Sequence, residues 1–423
     1  MLNKIAKNKV WSISVLILIG LFFVGCNRYS DEETYKAKMT MNLEFSNDQI
    51  IVSALMFPKV DNNEFSFVVN NLLAIDEISS TEGILKWKRE NISLDFRPEL
   101  QKITVTTDSD SAITIKYHGK IDGWFNFIKP DKKALSSYSA WYPQEFSFPA
   151  DTANEIVVKM SNLSDFDVIN GEYSSEDKNW VYTMRNDRYD DCNIIAFKKG
   201  EYSVLSQEGV NIYYCNKKEA ASATAVYDYC IDVLKYYNDI LYCDNNSYRK
   251  KLNIVSFSEP GSQNGAYTRD GLIVLDGLSD MNQGYWMKAV FPHELAHFWT
   301  TGADTSSFED WLNETMAEWS ALLYLLYSNN QDTFDQIIND KTKQYSELPA
   351  IKTVDGSRPE GVHTKGTILF YDIYQKYGTE TIQKLLTVFV SLDEKNTENF
   401  INEVSSKVGN DIAIIIREGI DKK

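Results

Sequence analysis

Apolar residues recur at every second position through much of the first half of the chain. Ile103 and Val105 alternate with polar neighbours, and Ile113, Ile115 and Tyr117 do so again beyond Asp108-Ser109-Asp110. Alternation sends successive side chains to opposite faces of a strand, so this stretch predicts a hairpin. Shorter runs of the same kind follow at 156–160, 180–184, 194–197 and 202–205. Together they predict an antiparallel β domain over about 31–206.

Near residue 216 the period changes. Val226, Cys230, Val233, Tyr237 and Leu241 fall at helical spacing inside 219–242. Two short strand-like runs, 252–257 and 272–275, come next, and beyond 285 the pattern is almost wholly helical. The expected fold class is α+β, with the β domain followed by a mainly helical domain over 216–423. A length of 423 residues is consistent with two or three domains.

The first 26 residues stand apart from both. Lys4, Lys7 and Lys9 precede an apolar run from Val10 to Val24, which ends at Gly25-Cys26. A run this short reads as an export signal rather than a spanning helix. Cys directly after Gly resembles a bacterial lipoprotein cleavage site, with Cys26 acylated, although Phe23 departs from the Leu usual three residues earlier. An uncleaved membrane anchor and free secretion stay open. All three readings put the body of the protein outside the cytoplasm, and the first puts it on the outer side of the cytoplasmic membrane of a bacterial cell envelope.

Charge and cysteine content narrow the picture further. A formal net charge of −17 argues against nucleic acid, whose phosphates need basic surface. Cys192, Cys215, Cys230 and Cys243 could form two disulfides outside the cytoplasm. Cys230 and Cys243 on one helix would stand about 20 Å apart, too far to bridge. That leaves a cross-domain clamp from Cys192 or Cys215, or free buried thiols.

The candidate chemistry lies in His293-Glu294-Leu295-Ala296-His297. Residues four apart share a helix face, so two imidazoles can grip one ion while Glu294 reaches a water on its open side. This is the HExxH arrangement, and zinc suits it because it binds His and carboxylate tetrahedrally with one position free. Such a motif arises by chance in roughly one chain in a hundred. Here it uses two of only four histidines, the others being His118 and His363. A second helical pattern opens at Asp310-Trp311-Leu312-Asn313-Glu314, with 16 residues between His297 and Glu314. Glu314 and Glu318 share a face, so Glu314 is the expected third ligand and Glu318 the acceptor for a ligand His N–H. The reverse assignment stays open.

These segments resemble the gluzincin metallopeptidases, and within them the aminopeptidase-N and leukotriene-hydrolase group. His293-Glu-Leu-Ala-His297-Phe-Trp299 is similar to that group's HELAHQW, and Trp311-Leu-Asn-Glu314 to its WLNE, with a gap two residues shorter. Asn313-Glu314 with an acid at 318 resembles thermolysin's NExxxD. Trp141-Tyr142-Pro143, His363-Thr-Lys-Gly366 and Gly409-Asn-Asp-Ile412 are similar to the group's WYP, YxKG and sGxDL in the same chain order. The group's further C-terminal helical domain is expected to be missing. The resemblance implies a thermolysin-like catalytic domain, one zinc ion and a peptide or protein substrate.

Two departures bear on mechanism. His363 stands where the group has the Tyr that stabilises the oxyanion, a role a His can fill; Tyr371 or Tyr374 are the alternatives. The group's GxMEN strand, whose Glu binds the substrate's free amine, aligns with Tyr267-Thr268-Arg269-Asp270-Gly271. Thr268 then replaces that Glu, so Thr268 and Arg269 are expected to line the substrate edge without recognising an ammonium. Endopeptidase, aminopeptidase and a catalytically silent surface binding protein all remain as functional readings.

Overall fold

Backbone donors and acceptors in the first half are satisfied by three sheets. The computed structural model describes residues 37–422 apart from 93–98, 109–110, 122–124, 150–151, 186–190, 216, 243–250, 258–264, 270 and 279–284. Cys26 with the rest of the leader, and Cys243, lie outside the described residues. With labels in chain order, the largest sheet contains β1 (Ala37–Ser46), β2 (Gln49–Met56), β4 (Leu73–Ser80), β5 (Gly83–Ile84), β8 (Ile113–Gly119), β11 (Ala153–Ser161), β13 (Glu172–Ser174) and β14 (Asn179–Arg185). Its order is β13-β14-β11-β1-β2-β8-β4-β5. All pairings are antiparallel except β1 with β11.

A smaller sheet, β3 (Glu64–Asn70), β7 (Leu100–Thr106) and β6 (Lys86–Ile92), covers the large one. The core between them takes Met39, Met41, Val52 and Ile115 from the large sheet and Phe67, Val69 and Ile103 from the small one. The expected hairpin is therefore not formed. Its two arms are strands, but β7 pairs with β3 and β6 while β8 pairs with β2 and β4. Ile103, Val105, Ile113 and Ile115 are all fully buried in one core, approached from opposite layers. Alternation states which face is buried; it does not state which strand lies alongside.

The third sheet, β12 (Phe166–Val168), β15 (Ile194–Lys198), β10 (Lys132–Leu135) and β9 (Phe127–Ile128), joins the two halves. Phe125, Ile195 and Phe197 from this side share a core with Val255, Phe257, Tyr267 and Val274 from the next. Lys132 Nζ also donates to the Phe257 carbonyl at 2.9 Å. Four such aromatic side chains, each worth about 1.5–3 kcal/mol when buried, make this a fixed joint rather than a hinge.

The second half begins with a five-stranded sheet in the order β16-β17-β18-β20-β19. Its strands are β16 (Ser203–Gln207), β17 (Val210–Tyr214), β18 (Leu252–Ser256), β19 (Ala266–Arg269) and β20 (Leu272–Leu275). β16 straddles the expected boundary at 206 and pairs with β17 here. β19 is the edge strand, antiparallel to β20. The helices are α1 (Ala220–Tyr236), α2 (Tyr285–Ala296), α3 (Asp310–Tyr327), α4 (Gln331–Tyr345), α5 (Val362–Tyr377), α6 (Thr379–Val390), α7 (Thr397–Lys407) and α8 (Asn410–Ile420). Cys192 and Cys230 are buried free thiols, so Cys192 makes no cross-domain clamp. Among the described residues no helix is long and apolar enough to cross a membrane.

Candidate metal centre

The helix that carries His293 and ends just before His297 contains a proline. Pro292 has no N–H for the Lys288 carbonyl one turn back, and the Tyr229 hydroxyl donates to that carbonyl instead, at 3.0 Å. The Tyr237 hydroxyl donates to the Pro292 carbonyl at 2.8 Å. Both donors sit on or next to α1, so this helix fixes α2 at the point where the site begins.

α3 lies against α2 with Trp311, Leu312, Met316 and Trp319 in the helical core. The indole of Trp311 donates to Thr397 Oγ1 at 2.8 Å, and that of Trp319 to the Thr367 carbonyl at 3.0 Å. Asn313 ties the first turn to the loop after α2, accepting from the Ala303 N–H and donating to its carbonyl. With the apolar face anchored, Glu314 and Glu318 are directed at α2. Next to them, α5 approaches closely at Gly366, where a Cβ would come within 1.8 Å of Thr315 Oγ1. That approach brings His363, in the first turn of α5, to the same place.

The donor atoms converge. His293 Nε2 and His297 Nε2 are 3.2 Å apart, and Glu314 Oε2 is 3.2 Å from the first and 3.7 Å from the second. Ligands about 2.0–2.1 Å from a tetrahedral zinc are separated by about 3.3 Å, so the three residues fit that ion. His293 Nδ1 lies 3.1 Å from Glu318 Oε2, a pairing that orients the ring with Nε2 toward the cluster. Lys341 Nζ in turn pairs with Glu318 Oε1 at 3.2 Å. Glu314 Oε2 is buried and receives no aligned hydrogen bond, as expected of an oxygen placed to bind a cation.

The electrostatics call for positive charge at this point. Burial pushes the Glu318 carboxyl up, but Lys341 and His293 outweigh it and hold it at about 2. Burial likewise opposes ionised Glu314, and the surrounding histidines still hold it well below the usual carboxylate range. Burial lowers His293, yet Glu314 and Glu318 raise it to about 10; His297, which burial also lowers, ends at about 3. One proton on His293, or one divalent ion in its place, satisfies the two carboxylates. Burial raises Glu294, against the opposing pull of His293 and the Thr268 hydroxyl.

From the other side, β19 closes on Glu294. Thr268 Oγ1 is 2.7 Å from Glu294 Oε2 and 2.9 Å from the Glu294 carbonyl. Arg269 is engaged rather than open to the cleft: Nε lies 2.6 Å from Asp191 Oδ2 and NH1 donates to the Thr268 carbonyl at 2.7 Å. Its guanidinium also stacks on Tyr138 and Tyr267, 4.8 and 5.4 Å from the ring centroids. Asp191 precedes Cys192, whose N–H donates to the Tyr142 hydroxyl and whose carbonyl accepts from the Trp141 indole, each at 3.0 Å. The Trp141-Tyr142 pair thereby positions Asp191, and through Arg269 the strand that touches Glu294.

Solved structures share this architecture. Native leukotriene A4 hydrolase from Saccharomyces cerevisiae aligns with a TM-score of 0.62 at 12% identity, over 91% of this chain and 66% of that one. The same yeast enzyme in complex with bestatin aligns with a TM-score of 0.62 at 13% identity, over 92% and 66%. The chain has the leukotriene A4 hydrolase fold. Legionella pneumophila aminopeptidase A in complex with aspartic acid gives a TM-score of 0.57 at 12% identity, over 92% of this chain and 49% of that one. The chain thus spans just under two thirds of the yeast hydrolase and about half of the Legionella enzyme. No family model and no curated protein matches the sequence.

Within the leukotriene A4 hydrolase fold, the residues singled out in the sequence meet at one cleft: His293, Glu294, His297, Glu314, Glu318, His363 and Thr268. Tyr371 and Tyr374 do not join them; they stack near Phe334 of α4. His118 is elsewhere, on β8 beside Asp76. Sequence reasoning missed Asp191, Tyr138 and Lys341. Each reaches the site only through long-range folding, and no local spacing marks it.

Proposed function

We propose that this chain is a zinc-dependent peptidase that cleaves internal peptide bonds. The observation that carries this reading is the convergence of His293, His297 and Glu314 within 3.2–3.7 Å, with the Glu294 carboxylate held beside them by Thr268. A zinc ion held by those three residues would polarise a carbonyl and supply hydroxide at neutral pH, by lowering the pKa of bound water to about 7.

The chain's own groups do the rest. Glu294 takes the proton from the attacking water and delivers it to the leaving amine. Thr268 donates to Glu294 Oε2, which keeps that oxygen occupied and leaves the other for the water. The His363 ring, half exposed at the rim of the cluster, donates to the oxyanion as it develops. Substrate backbone adds along the free edge of β19. Thr268 sits where an amine-binding carboxylate would be needed and its hydroxyl is spent on Glu294, so nothing on this strand selects a free N-terminus. That supports internal cleavage over removal of single N-terminal residues.

We propose further that residues 1–26 export the protein and that Cys26 anchors it by lipid on the outer side of the cytoplasmic membrane. Replacing Cys26 by Ser should shift the protein from the membrane to the soluble fraction; unchanged fractionation would remove the anchor from the account. For the activity, peptide mixtures with free and acetylated N-termini are digested with and without a chelator and read by mass spectrometry. Chelator-sensitive internal cuts that ignore acetylation support the proposal. Stepwise loss of residues from free termini alone would replace it with an aminopeptidase.

A further inference from the structure

α4 buries one stripe of side chains, with Phe334, Ile337 and Ile338 along it. The next position on that face is Lys341, three residues after Ile338 and four after Ile337. A lysine thus closes an apolar stripe, and its side chain is 16% exposed. An ammonium so enclosed needs partners. It has two, from different helices: Nζ lies 3.2 Å from Glu318 Oε1 on α3 and donates to the His363 carbonyl on α5 at 2.7 Å.

Both partners belong to the cluster. The second oxygen of the same carboxylate, Glu318 Oε2, meets His293 Nδ1 at 3.1 Å, so Lys341 and His293 hold Glu318 by its two ends. On α5, the His363 ring is half exposed and reaches Glu314 Oε2 with Nδ1 at 3.0 Å. A ring with so little packing takes its place from its backbone. That backbone is tied by Lys341 and by Thr367 Oγ1, which donates to the same carbonyl at 2.8 Å. The stability of α5 gives no reason for an ammonium there, because the first turn of a helix carries partial positive charge and disfavours a cation.

From this geometry we infer that Lys341 is a positioning residue, an inference that rests on the peptidase reading above and deepens it. Through one ammonium it holds Glu318 on His293 and holds His363 at the rim of the cluster. It acts only through those two residues, so its removal has two separable consequences. His293 loses part of its orientation, which is read as zinc affinity. His363 loses its fixed approach, which is read as turnover with zinc saturating.

The test places Lys341→Met in the full-length parent, in Glu318→Ala and in His363→Ala. Zinc affinity is measured by competition with a chromophoric chelator, kcat and KM on an internally quenched peptide, and folding by circular dichroism. In the parent, Lys341→Met should weaken zinc binding about three- to tenfold, less than the roughly 10–100-fold of losing a ligand's direct partner. It should also lower kcat about tenfold with KM little changed, a fraction of the roughly 10²–10³ of losing an oxyanion donor outright. In Glu318→Ala the same substitution should leave zinc affinity where it was, and in His363→Ala it should leave kcat where it was. A merely structural lysine would carry its losses into every background. Lys341→Arg, which keeps the charge and the donors, should recover most of both losses. Lys341→Gln carries the same expectations as the methionine variant and replaces it if that chain does not fold. Zinc affinity and kcat equal to the parent's in the folded variant, or equal losses in all three backgrounds, would overturn the inference while zinc-dependent cleavage by the parent stood. A parent that takes up no zinc would remove the proposed function, and the role of Lys341 with it.

Discussion

The two walls of the cleft are built in different ways. One wall comes from two helices, where Glu314 and Glu318 share a face of α3 and His293 meets His297 in the turn that closes α2. The other comes from β19, where Thr268 reaches Glu294 and the adjacent Arg269 is paired with Asp191 from the β domain, 78 positions earlier in the chain. The first wall gathers the histidine and carboxylate donor atoms, and the second holds the Glu294 carboxylate. The helical wall is thus a local device, whereas the strand wall needs the β domain in place. The shared core of Phe197, Phe257 and Tyr267 supplies that requirement physically.

If the division holds, substitutions should separate metal retention from turnover. Glu294→Gln should keep zinc at full occupancy while kcat falls about 10²–10⁴-fold, the range for losing a positioned general base. Glu318→Ala should do the reverse, weakening zinc binding about 10–100-fold because His293 loses its Nδ1 acceptor. Chelator competition reads the second effect, steady-state kinetics the first.

The strand wall is broken by Thr268→Val, which keeps the shape and removes the hydroxyl. A hydrogen bond to a charged partner contributes about 1.5–3 kcal/mol, so kcat should fall by about tenfold or more with zinc affinity unchanged. Parallel loss of zinc would merge the two walls into one unit. Asp191→Asn acts one step further back. Its ion pair with Arg269 is 17–24% exposed, so the destabilisation should stay below the ~3–5 kcal/mol of breaking a fully buried pair, seen as a Tm lower by a few degrees.

The smallest effect concerns pH and the helical wall alone. His293 is raised to about 10, so without metal its pairing stabilises the fold fully below the ordinary histidine value near 6.5 and is lost as pH rises through about 10. Metal must displace that proton. Apparent zinc affinity should therefore rise with pH across 6.5–10, and calorimetry at neutral pH in buffers of different ionisation enthalpy should find about one proton released per ion. Release of none would mean that His293 is already neutral in the metal-free protein.

What the sequence disclosed follows the same division. The helical wall was readable because the 3.6-residue period converts spacing into geometry: His293, His297, Glu314 and Glu318 could be assigned without knowing what surrounds them. Strands were readable as strands, but their partners were not. β7 and β8 bury the same alternating positions as a hairpin would, yet lie in opposite layers, since period two carries no information on the neighbouring strand. Asp191 and Lys341 were unreadable for a related reason, as each meets its partner across tens of residues of chain. Of the two fates left open for the cysteines, Cys192 takes that of a free buried thiol, wholly enclosed by the β core as a small apolar side chain.

The proposed peptidase activity requires one zinc ion held by His293, His297 and Glu314. The most direct test is elemental analysis of the full-length protein, purified without chelator, beside its Glu314→Ala variant, with circular dichroism to confirm that both are folded. About one zinc per chain in the parent and almost none in the folded variant is the predicted result. A folded parent that takes up no zinc, or a variant that retains it, would contradict the metal centre and the peptidase mechanism built on it.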